Sequence, residues 1–385
     1  MGGAELIGKE EREAVSEVID RGVLFRYGFN EKRKNIFKVA EFEGRFARYM
    51  GCSYALGVSS GSAALRVALA ALGIKRNDEV ITQSFTFVAT VESILEAGGV
   101  PVIAEVDKSL NLDPKDLEGK ITDRTRAIIP VHMLGVSARL DEIMAVAQKR
   151  NIPVLEDSCQ ACGSIYRGKK TGTIGALGTY SFDYVKTLTT GEGGMVVTND
   201  KRLYDLATYY HDHGHEHNPE LPRGEDSHSI TGFNFRMNEI QGAFGIVQLE
   251  RLDFVLAGQR ANKARIKSAI ANFKGIEFRD LPDPAGDGGD TLVFFLPDAK
   301  TARAFNDSLV REKVDTKILP SAMNWHFVGK WNHIIKFCPP YRADSWPKSE
   351  ALLKRAIALP ISVRMSEEQI LRVIEGVQRA AEGIL

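Results

Sequence analysis

A single lysine in a turn of threonines and glycines is the residue of this sequence best suited to covalent chemistry. Lys186 follows a short apolar run that ends before Asp183, and it precedes the apolar run 195–197. An acid, Asp157, ends another apolar run upstream, at residues 154–157. A lysine amine can attack a carbonyl carbon, and a carboxylate can keep a basic nitrogen protonated. The two residues together predict a site in which both act on one bound cofactor.

The elements that would position these two side chains form an alternating pattern. Strands are predicted over 54–58, 79–82, 100–104, 127–131 and 152–156, with helices between them. The alternation predicts an α/β fold with a parallel sheet covered on both faces. Ligands of such sheets bind at the carboxyl ends of the strands. Asp157, Ser62, Phe87 and His132 all follow predicted strand ends, which indicates one shared site.

The chemistry of these groups predicts the cofactor pyridoxal 5′-phosphate, which has a phosphate, a flat ring, a basic ring nitrogen and an aldehyde. Lys186 would attach to the aldehyde carbon, and Asp157 would keep the ring nitrogen protonated. Phe87 would stack on the ring. The small-residue turn 59–62 opens a helix, whose free N–H groups favour a phosphate. The residues predicted to hold the phosphate are Gly61, Ser62 and Ser181.

Length and composition favour a globular protein with more than one domain. At 385 residues the chain exceeds the usual size of one domain. We predict an N-terminal arm at 1–30, a large cofactor-binding domain at 31–250 and a smaller α+β domain at 251–385. The 50 basic and 50 acidic residues cancel, so no overall field favours nucleic acid or a membrane surface. The sequence has no secretion signal and no apolar stretch of membrane-spanning length, so we expect a cytoplasmic protein with reduced cysteines.

Several motifs in their order along the chain resemble the DegT/DnrJ/EryC1/StrS family of sugar aminotransferases. They are Ser-Ser-Gly-Ser-Ala-Ala-Leu at 59–65, Asp-Glu-Val-Ile at 78–81, Thr-Phe-Val-Ala-Thr at 86–90, Pro-Val-His at 130–132, Glu-Asp-x-x-Gln-Ala at 156–161, Ser-Phe-x-x-x-Lys at 181–186 with the turn to Gly194, Gly-x-Asn-x-Arg-Met at 232–237, and Leu-Pro at 359–360. The resemblance covers nearly the whole chain.

The resemblance implies fold type I of the pyridoxal phosphate-dependent transferases, with a mostly parallel mixed sheet between helices and a smaller C-terminal domain. It implies that Gln160 contacts the ring hydroxyl and that Lys186 also moves the proton. It further implies a homodimer with composite active sites, in which Asn234 reaches the phosphate of the neighbouring subunit. Glutamate would be the amino donor and a keto- or aldehyde-sugar the acceptor.

Two departures bear on the substrate. Many family members have histidine where this chain has Asp183, so this residue is a candidate for substrate contact. The segment 324–333 is similar to that of members that aminate an eight-carbon acidic sugar, a 3-deoxy-octulosonate, at C8. An anionic sugar needs cations, for which Arg26, His326 and Lys330 are the candidates.

Alternative functions remain open on the sequence. Some family members replace the lysine with histidine and are dehydratases, so the presence of Lys186 favours transamination over a lyase. A regulatory relative without catalysis would have no need for Asp157, Gln160 and Lys186 together. A metal- or redox-binding protein could use the histidines of residues 211–217 with His228, or the pair Cys159 and Cys162. We predict no metal, because the irregular spacing of these histidines presets no coordination geometry.

Overall fold

The computed structural model describes residues 2–338 and 340–385. The helices are α1 (Lys9–Arg21), α2 (Lys38–Met50), α3 (Gly61–Ala71), α4 (Val88–Glu96), α5 (Pro114–Lys120), α6 (Leu140–Lys149), α7 (Lys201–Tyr210), α8 (Glu239–Glu250), α9 (Leu252–Ile270), α10 (Ala299–Arg311), α11 (Asn332–Ile335), α12 (Pro347–Lys354) and α13 (Glu367–Ile384). The strands are β1 (Tyr54–Val58), β2 (Glu79–Gln83), β3 (Val100–Ala104), β4 (Thr125–Ile129), β5 (Leu155–Asp157), β6 (Ile165–Tyr166), β7 (Lys169–Lys170), β8 (Leu177–Ser181), β9 (Gly194–Thr198), β10 (Glu277–Phe278), β11 (Thr291–Phe295) and β12 (Ala356–Pro360).

Two sheets that meet at β4 and β5 form the centre of the large part of the molecule. One has the order β1-β9-β8-β5 and the other the order β3-β2-β4. Parallel bridges from Ile128 to Val154 and from Val131 to Asp157 connect them. Strands β2, β3 and β4 are parallel, as are β5 and β8, whereas β9 is antiparallel to both of its neighbours. The predicted mostly parallel mixed sheet is therefore confirmed, and the carboxyl ends of β2, β4, β5 and β8 lie on one edge.

A third sheet, with the order β10-β11-β12, is antiparallel and belongs to the C-terminal part of the chain. It shares a buried apolar cluster with α9, α10 and α13, to which Phe294, Phe305 and Val377 contribute. Burial of apolar side chains of this size contributes roughly 1.5–3 kcal/mol each. A separate core of this kind supports a smaller C-terminal unit, although the boundary at 250 stays a prediction.

The apolar periodicity after residues 232–239 predicts one long amphipathic helix that extends through Ile266, and this prediction is wrong in one respect. The helix is divided into α8 and α9 at Arg251, whose N–H group donates to Gln248 O, three residues back, at 3.2 Å. The Arg251 guanidinium pairs with Glu10 at 2.7 Å and with Glu11 at 2.8 Å on α1. The predicted N-terminal arm is therefore partly a helix that packs on its own chain.

Among the described residues, no helix has both the length and the apolar character needed to cross a bilayer.

Candidate active site

A cavity of about 660 Å³ lies at the carboxyl ends of the central strands. Its wall includes residues that directly follow β1, β2, β4 and β5, together with the turn between β8 and β9. The opposite wall comes from the C-terminal part of the chain. The predicted site residues in this wall are Gly61, Ser62, Phe87, Asp157, Gln160, Ser181, Asp183, Lys186 and His326.

Asp157, the last residue of β5, is only 3% exposed and is held on both carboxylate oxygens. Its Oδ2 accepts a hydrogen bond from the Thr90 hydroxyl at 2.8 Å, and its Oδ1 accepts one from the Cys159 N–H group at 3.1 Å. The backbone of Asp157 is fixed as well, because its carbonyl accepts from the His132 N–H group at 3.0 Å. The carboxylate therefore has a set position in the cavity wall.

Lys186 lies in the connection between the antiparallel neighbours β8 and β9. Backbone hydrogen bonds close the base of this connection: Phe182 N–H donates to Gly193 O at 2.8 Å, and Thr190 N–H donates to Phe182 O at 2.9 Å. The amine of Lys186 makes no hydrogen bond or ion pair with residues 2–338 or 340–385, so it is available to a ligand.

The charge of Lys186 acts on two neighbours in the cavity. Burial and the charge of Asp157 raise the pKa of the Cys159 thiol, while the Lys186 charge opposes that increase. Burial lowers the pKa of His326, and the Lys186 charge acts in the same direction. Lys186, Cys159 and His326 all line this cavity. The raised pKa leaves Cys159 as a neutral thiol of low reactivity.

The first turn of α3 forms a cradle for an anion. The hydroxyl of Ser60, the N-cap residue, accepts from Ala63 N–H at 3.0 Å. A Cβ atom on Gly61 would lie 2.7 Å from Ser181 Cβ and 3.2 Å from Cys159 Sγ. Only glycine fits this close approach, which brings the Ser181 side chain to the N-terminus of a helix, where an anion is stabilised.

Phe87 and Gln160 complete the surroundings of the cavity centre. Phe87 is the N-cap residue of α4 and is 44% exposed. Its ring centroid lies 5.6 Å from that of His326. Gln160 Oε1 accepts from Leu134 N–H at 3.1 Å, which leaves the amide N–H₂ group to donate. One cavity therefore offers a buried acid, an available amine, an exposed ring and an anion cradle, and these groups fit pyridoxal phosphate.

Two of the predicted substrate-binding cations lie outside this cavity, contrary to our expectation for a single chain. Arg26 is 7% exposed, pairs with Glu43 and donates to Gly57 O at 3.3 Å. Lys330 lies 3.8 Å from Glu350 on α12. Arg26 thus balances a buried acid, and Lys330 has an acidic neighbour instead of a place in the cavity wall.

Asn234 is exposed and also lies outside the cavity of its own chain. Its Oδ1 accepts from Arg236 N–H at 3.3 Å, and its backbone bridges to Asp212. Its contribution to a neighbouring subunit stays a prediction.

The histidine-rich segment is a network around one buried acid. Arg223 donates two hydrogen bonds of 2.7 Å to Asp212, Arg236 also pairs with it, and His217 Nε2 lies 3.3 Å away. Burial alone would raise the pKa of Asp212, but the arginine hydrogen bonds lower it. Within residues 2–338 and 340–385, no three His, Cys, Asp or Glu side chains are arranged to hold a metal ion. His215 Nδ1 lies 3.3 Å from the Asp226 carboxylate.

His132 and Glu156 have a structural role next to the cavity. The Glu156 carboxylate, 0% exposed, accepts from the N–H groups of Gly172, Ile174 and Gly175 at 2.7, 2.6 and 2.6 Å. His132 Nδ1 accepts from Ala138 N–H at 3.0 Å, so its Nε2 carries the proton and donates to Glu156 at 3.0 Å. His132 follows a strand end as predicted, yet it supports β5 from outside the cavity.

Sequence reasoning did not single out several residues of the cavity wall. Thr90 could have been predicted as a site residue, because it lies three residues after Phe87. That spacing places it on the first turn of α4, beside Asp157. Lys317, Asp290 and Gln259 also line the cavity. No motif marked these three, because the C-terminal part of the chain brings them there through long-range packing.

The chain matches the model of the DegT/DnrJ/EryC1/StrS aminotransferase family over residues 5–378. It is 33% identical over 387 residues to the spore coat polysaccharide biosynthesis protein SpsC of Bacillus subtilis (strain 168), covering 98% of this chain and 96% of the relative. It is 32% identical over 376 residues to the GDP-perosamine synthase of Escherichia coli O157:H7, with 97% and 95% covered.

Among solved structures, the crystal structure of 3-amino-5-hydroxybenzoic acid (AHBA) synthase matches with a TM-score of 0.85 and 26% identity, covering 98% of this chain and 97% of that one. The match along both chains agrees with the fold type predicted from the motifs. Together with the cavity around Lys186 and Asp157, these similarities show that the chain belongs to the DegT/DnrJ/EryC1/StrS aminotransferase family and is a pyridoxal phosphate-dependent aminotransferase.

Proposed function

We propose that this enzyme transfers an amino group from glutamate to a keto- or aldehyde-sugar. The observation that carries the proposal is that the available Lys186 amine shares one cavity with the buried Asp157 carboxylate and the anion cradle at Gly61. The names of the relatives support a sugar acceptor, since one is a perosamine synthase and another acts in polysaccharide biosynthesis.

The residues of the cavity have distinct roles in this proposal. Pyridoxal phosphate supplies the electron sink for the carbon that loses a proton. Asp157, whose carboxylate is fixed by two hydrogen bonds, would keep the ring nitrogen protonated. Lys186 would move a proton between the reacting carbon of the donor or acceptor and the former aldehyde carbon of the cofactor, as a positioned general base and acid. Phe87 would cover one ring face, and Gln160 would donate to the ring hydroxyl.

The phosphate would be held at the first turn of α3 by Gly61, Ser62 and Ser181, with Asn234 supplied by a second copy of the chain. Asn234 is exposed, and its neighbour Phe233 is 60% exposed, which suits a surface that another subunit covers. We therefore include a homodimer with composite active sites in the proposal.

The acceptor in this proposal is an acidic sugar, an 8-oxo-3-deoxy-octulosonate. His326 lines the cavity beside Phe87, and its Nδ1 contacts Ala322 O at 2.9 Å, so its Nε2 is left to a substrate hydroxyl. Asp183, also in the wall, would accept hydrogen bonds from sugar hydroxyl groups.

The first test is the colour of the purified protein. Wild type with pyridoxal phosphate should be yellow and should lose the colour with glutamate. Lys186→Ala should bind the cofactor without forming the Schiff base, so borohydride should attach the cofactor covalently to wild type and not to this variant, while the exposed matched control Lys169→Ala should behave as wild type. A wild type that stays colourless with added cofactor would refute the proposal.

The second test compares acceptors. The glutamate-treated enzyme should regain its colour with 8-oxo-3-deoxy-octulosonate. Recovery only with a 4-keto nucleotide sugar would reject the acidic acceptor but keep the amino transfer.

A further inference from the structure

The C-terminal wall of the active-site cavity contains polar groups that the cofactor does not account for. Lys317, Asp290 and Gln259 line it, with Thr316 and Ile361 between them. Asp290 directly precedes β11, and Gln259 lies on α9. Thr316 and Lys317 follow α10, and Ile361 follows β12. The groups that would hold the cofactor follow the strands and turns of the central sheets instead.

Lys317 is positioned by both its backbone and its side chain. Its N–H group donates to Ala358 O on β12 at 2.8 Å, and its ammonium group pairs with Asp290. The Lys317 side chain remains 33% exposed, and that of Asp290 is 13% exposed. An ammonium group has three donors, so two of them have no protein partner within residues 2–338 and 340–385.

Two buried acceptors of the same wall differ from Lys317 in accessibility. Gln259 is 1% exposed, and its N–H₂ group donates to Ile361 O at 3.4 Å while its Oε1 has no partner in the described part of the chain. Asp290 Oδ1 is likewise unpaired there. Both atoms are covered by protein, whereas the Lys317 side chain is 33% exposed and lines the cavity, so a ligand can reach Lys317.

The distribution of charge around the cavity limits where an anion can bind. Lys186 and Lys317 are the lysine or arginine side chains in the described wall, and Lys186 is committed to the cofactor. Asp183 and Glu192, on the connection that carries Lys186, would repel a second carboxylate. Lys317 is therefore the remaining cation of the described wall that a substrate carboxylate can reach, and the Asp290 oxygen that faces it is already paired with it.

We propose that Lys317, held by Asp290, is an anion-binding residue for a substrate carboxylate. The ligand chemistry is a carboxylate. Under the proposed function, which this inference deepens, both glutamate and an acidic sugar carry that chemistry. Asp290 is a positioning residue, since it acts through Lys317.

The test uses the full-length enzyme loaded with pyridoxal phosphate and the variants Lys317→Met and Lys317→Arg. The probes are L-glutamate, followed by loss of the yellow colour, and 3-deoxy-octulosonate with its methyl ester, followed by calorimetry. Loss of one charged hydrogen-bonded contact should weaken binding about 10- to 100-fold. Lys317→Met should show this loss for a carboxylate probe and none for the ester, and Lys317→Arg should restore most of the affinity.

The matched control is Lys354→Met, an identical exchange at an exposed lysine that pairs with Glu350 at 2.9 Å on α12. It should bind both acids as wild type does. Asp290→Asn should raise KM for the affected acid with a smaller change in kcat, because Lys317 loses its anchor but keeps its charge.

The outcomes separate the sources of the carboxylate. A loss for glutamate alone assigns Lys317 to the amino donor, a loss for octulosonate alone assigns it to the acceptor, and a loss for both assigns a shared subsite. Unchanged binding of both acids by a yellow Lys317→Met enzyme overturns the inference, as does a wild type that binds neither acid. A wild type that keeps its colour with glutamate would reject the proposed amino transfer, yet octulosonate binding would still decide the role of Lys317.

Discussion

Replacing Glu156 with glutamine should destabilise the protein strongly, although the change removes no heavy-atom volume. The Glu156 carboxylate accepts from four N–H donors, three on the backbone of residues 172–175 and one on His132, in hydrogen bonds that are buried or partly buried. A glutamine offers one oxygen with two acceptor sites. Two of the four donors would then face an N–H₂ group and lose their acceptor.

The size of the effect follows from that count. Each buried donor left without an acceptor destabilises the folded state by about 1–3 kcal/mol, so Glu156→Gln should lower the free energy of unfolding by roughly 2–6 kcal/mol. This loss is large beside a total of about 5–15 kcal/mol for a typical protein.

Urea unfolding followed by tryptophan fluorescence would measure the loss at a fixed protein concentration, with and without cofactor. The control is Glu142→Gln, an exposed glutamate in the first turn of α6. It should change the free energy of unfolding by less than about 1 kcal/mol. Equal unfolding midpoints for the two variants would show that the hydrogen bonds of Glu156 do not contribute the expected free energy of unfolding. Because Glu156 precedes Asp157 on β5, the variant should also bind the cofactor more weakly.

Three further outcomes follow from the structure. Asp157→Asn should slow the glutamate-driven loss of colour by roughly 100-fold or more, because an amide cannot keep the ring nitrogen protonated; a rate near that of wild type would contradict this role. Gly61→Ala should weaken cofactor binding about tenfold through the contact with Ser181, whereas Gly119→Ala, with open space around it, should leave equilibrium cofactor affinity unchanged. Burial lowers the pKa of His211 well below its usual value, so the unfolded chain takes up a proton near pH ~6.5 that the folded chain does not. The free energy of unfolding should therefore fall as pH drops through that range. A melting temperature that stays constant between pH 8 and 5 would refute this role of His211.

The fold could be predicted from the sequence where local patterns decide it. The strands β1 and β3 have the predicted bounds, because apolar runs between turn residues mark them. The break at Arg251 could not be predicted, because no glycine or proline marks it in residues 247–255. The helical spacing of apolar residues continues across this break and therefore does not indicate it.

The site shows the same division between local and long-range causes. The positions of Asp157 and Phe87 in the cavity follow from their place after strands. Arg26 was named as a candidate cation for an anionic sugar, but its partner Glu43 lies on α2, and their pairing, which buries both charges, depends on packing that the local sequence does not predict. Lys317 lies in the cavity wall because its backbone pairs with Ala358 on β12 of the small sheet. The residues next to Lys317 in the sequence do not predict this pairing.

The closed base of the Lys186 connection has a consequence for the timing of the reaction. Hydrogen bonds between residues 182, 190 and 193 hold the backbone, so the path of the amine is confined to rotations about its own side-chain bonds. Such rotations take picoseconds to nanoseconds in exposed side chains, far faster than loop or domain motion. Under the proposed function, proton transfer by Lys186 would therefore need no loop rearrangement. The hydrogen-bonded amides of Phe182 and Thr190 at the base should accordingly exchange slowly with solvent even while the enzyme turns over.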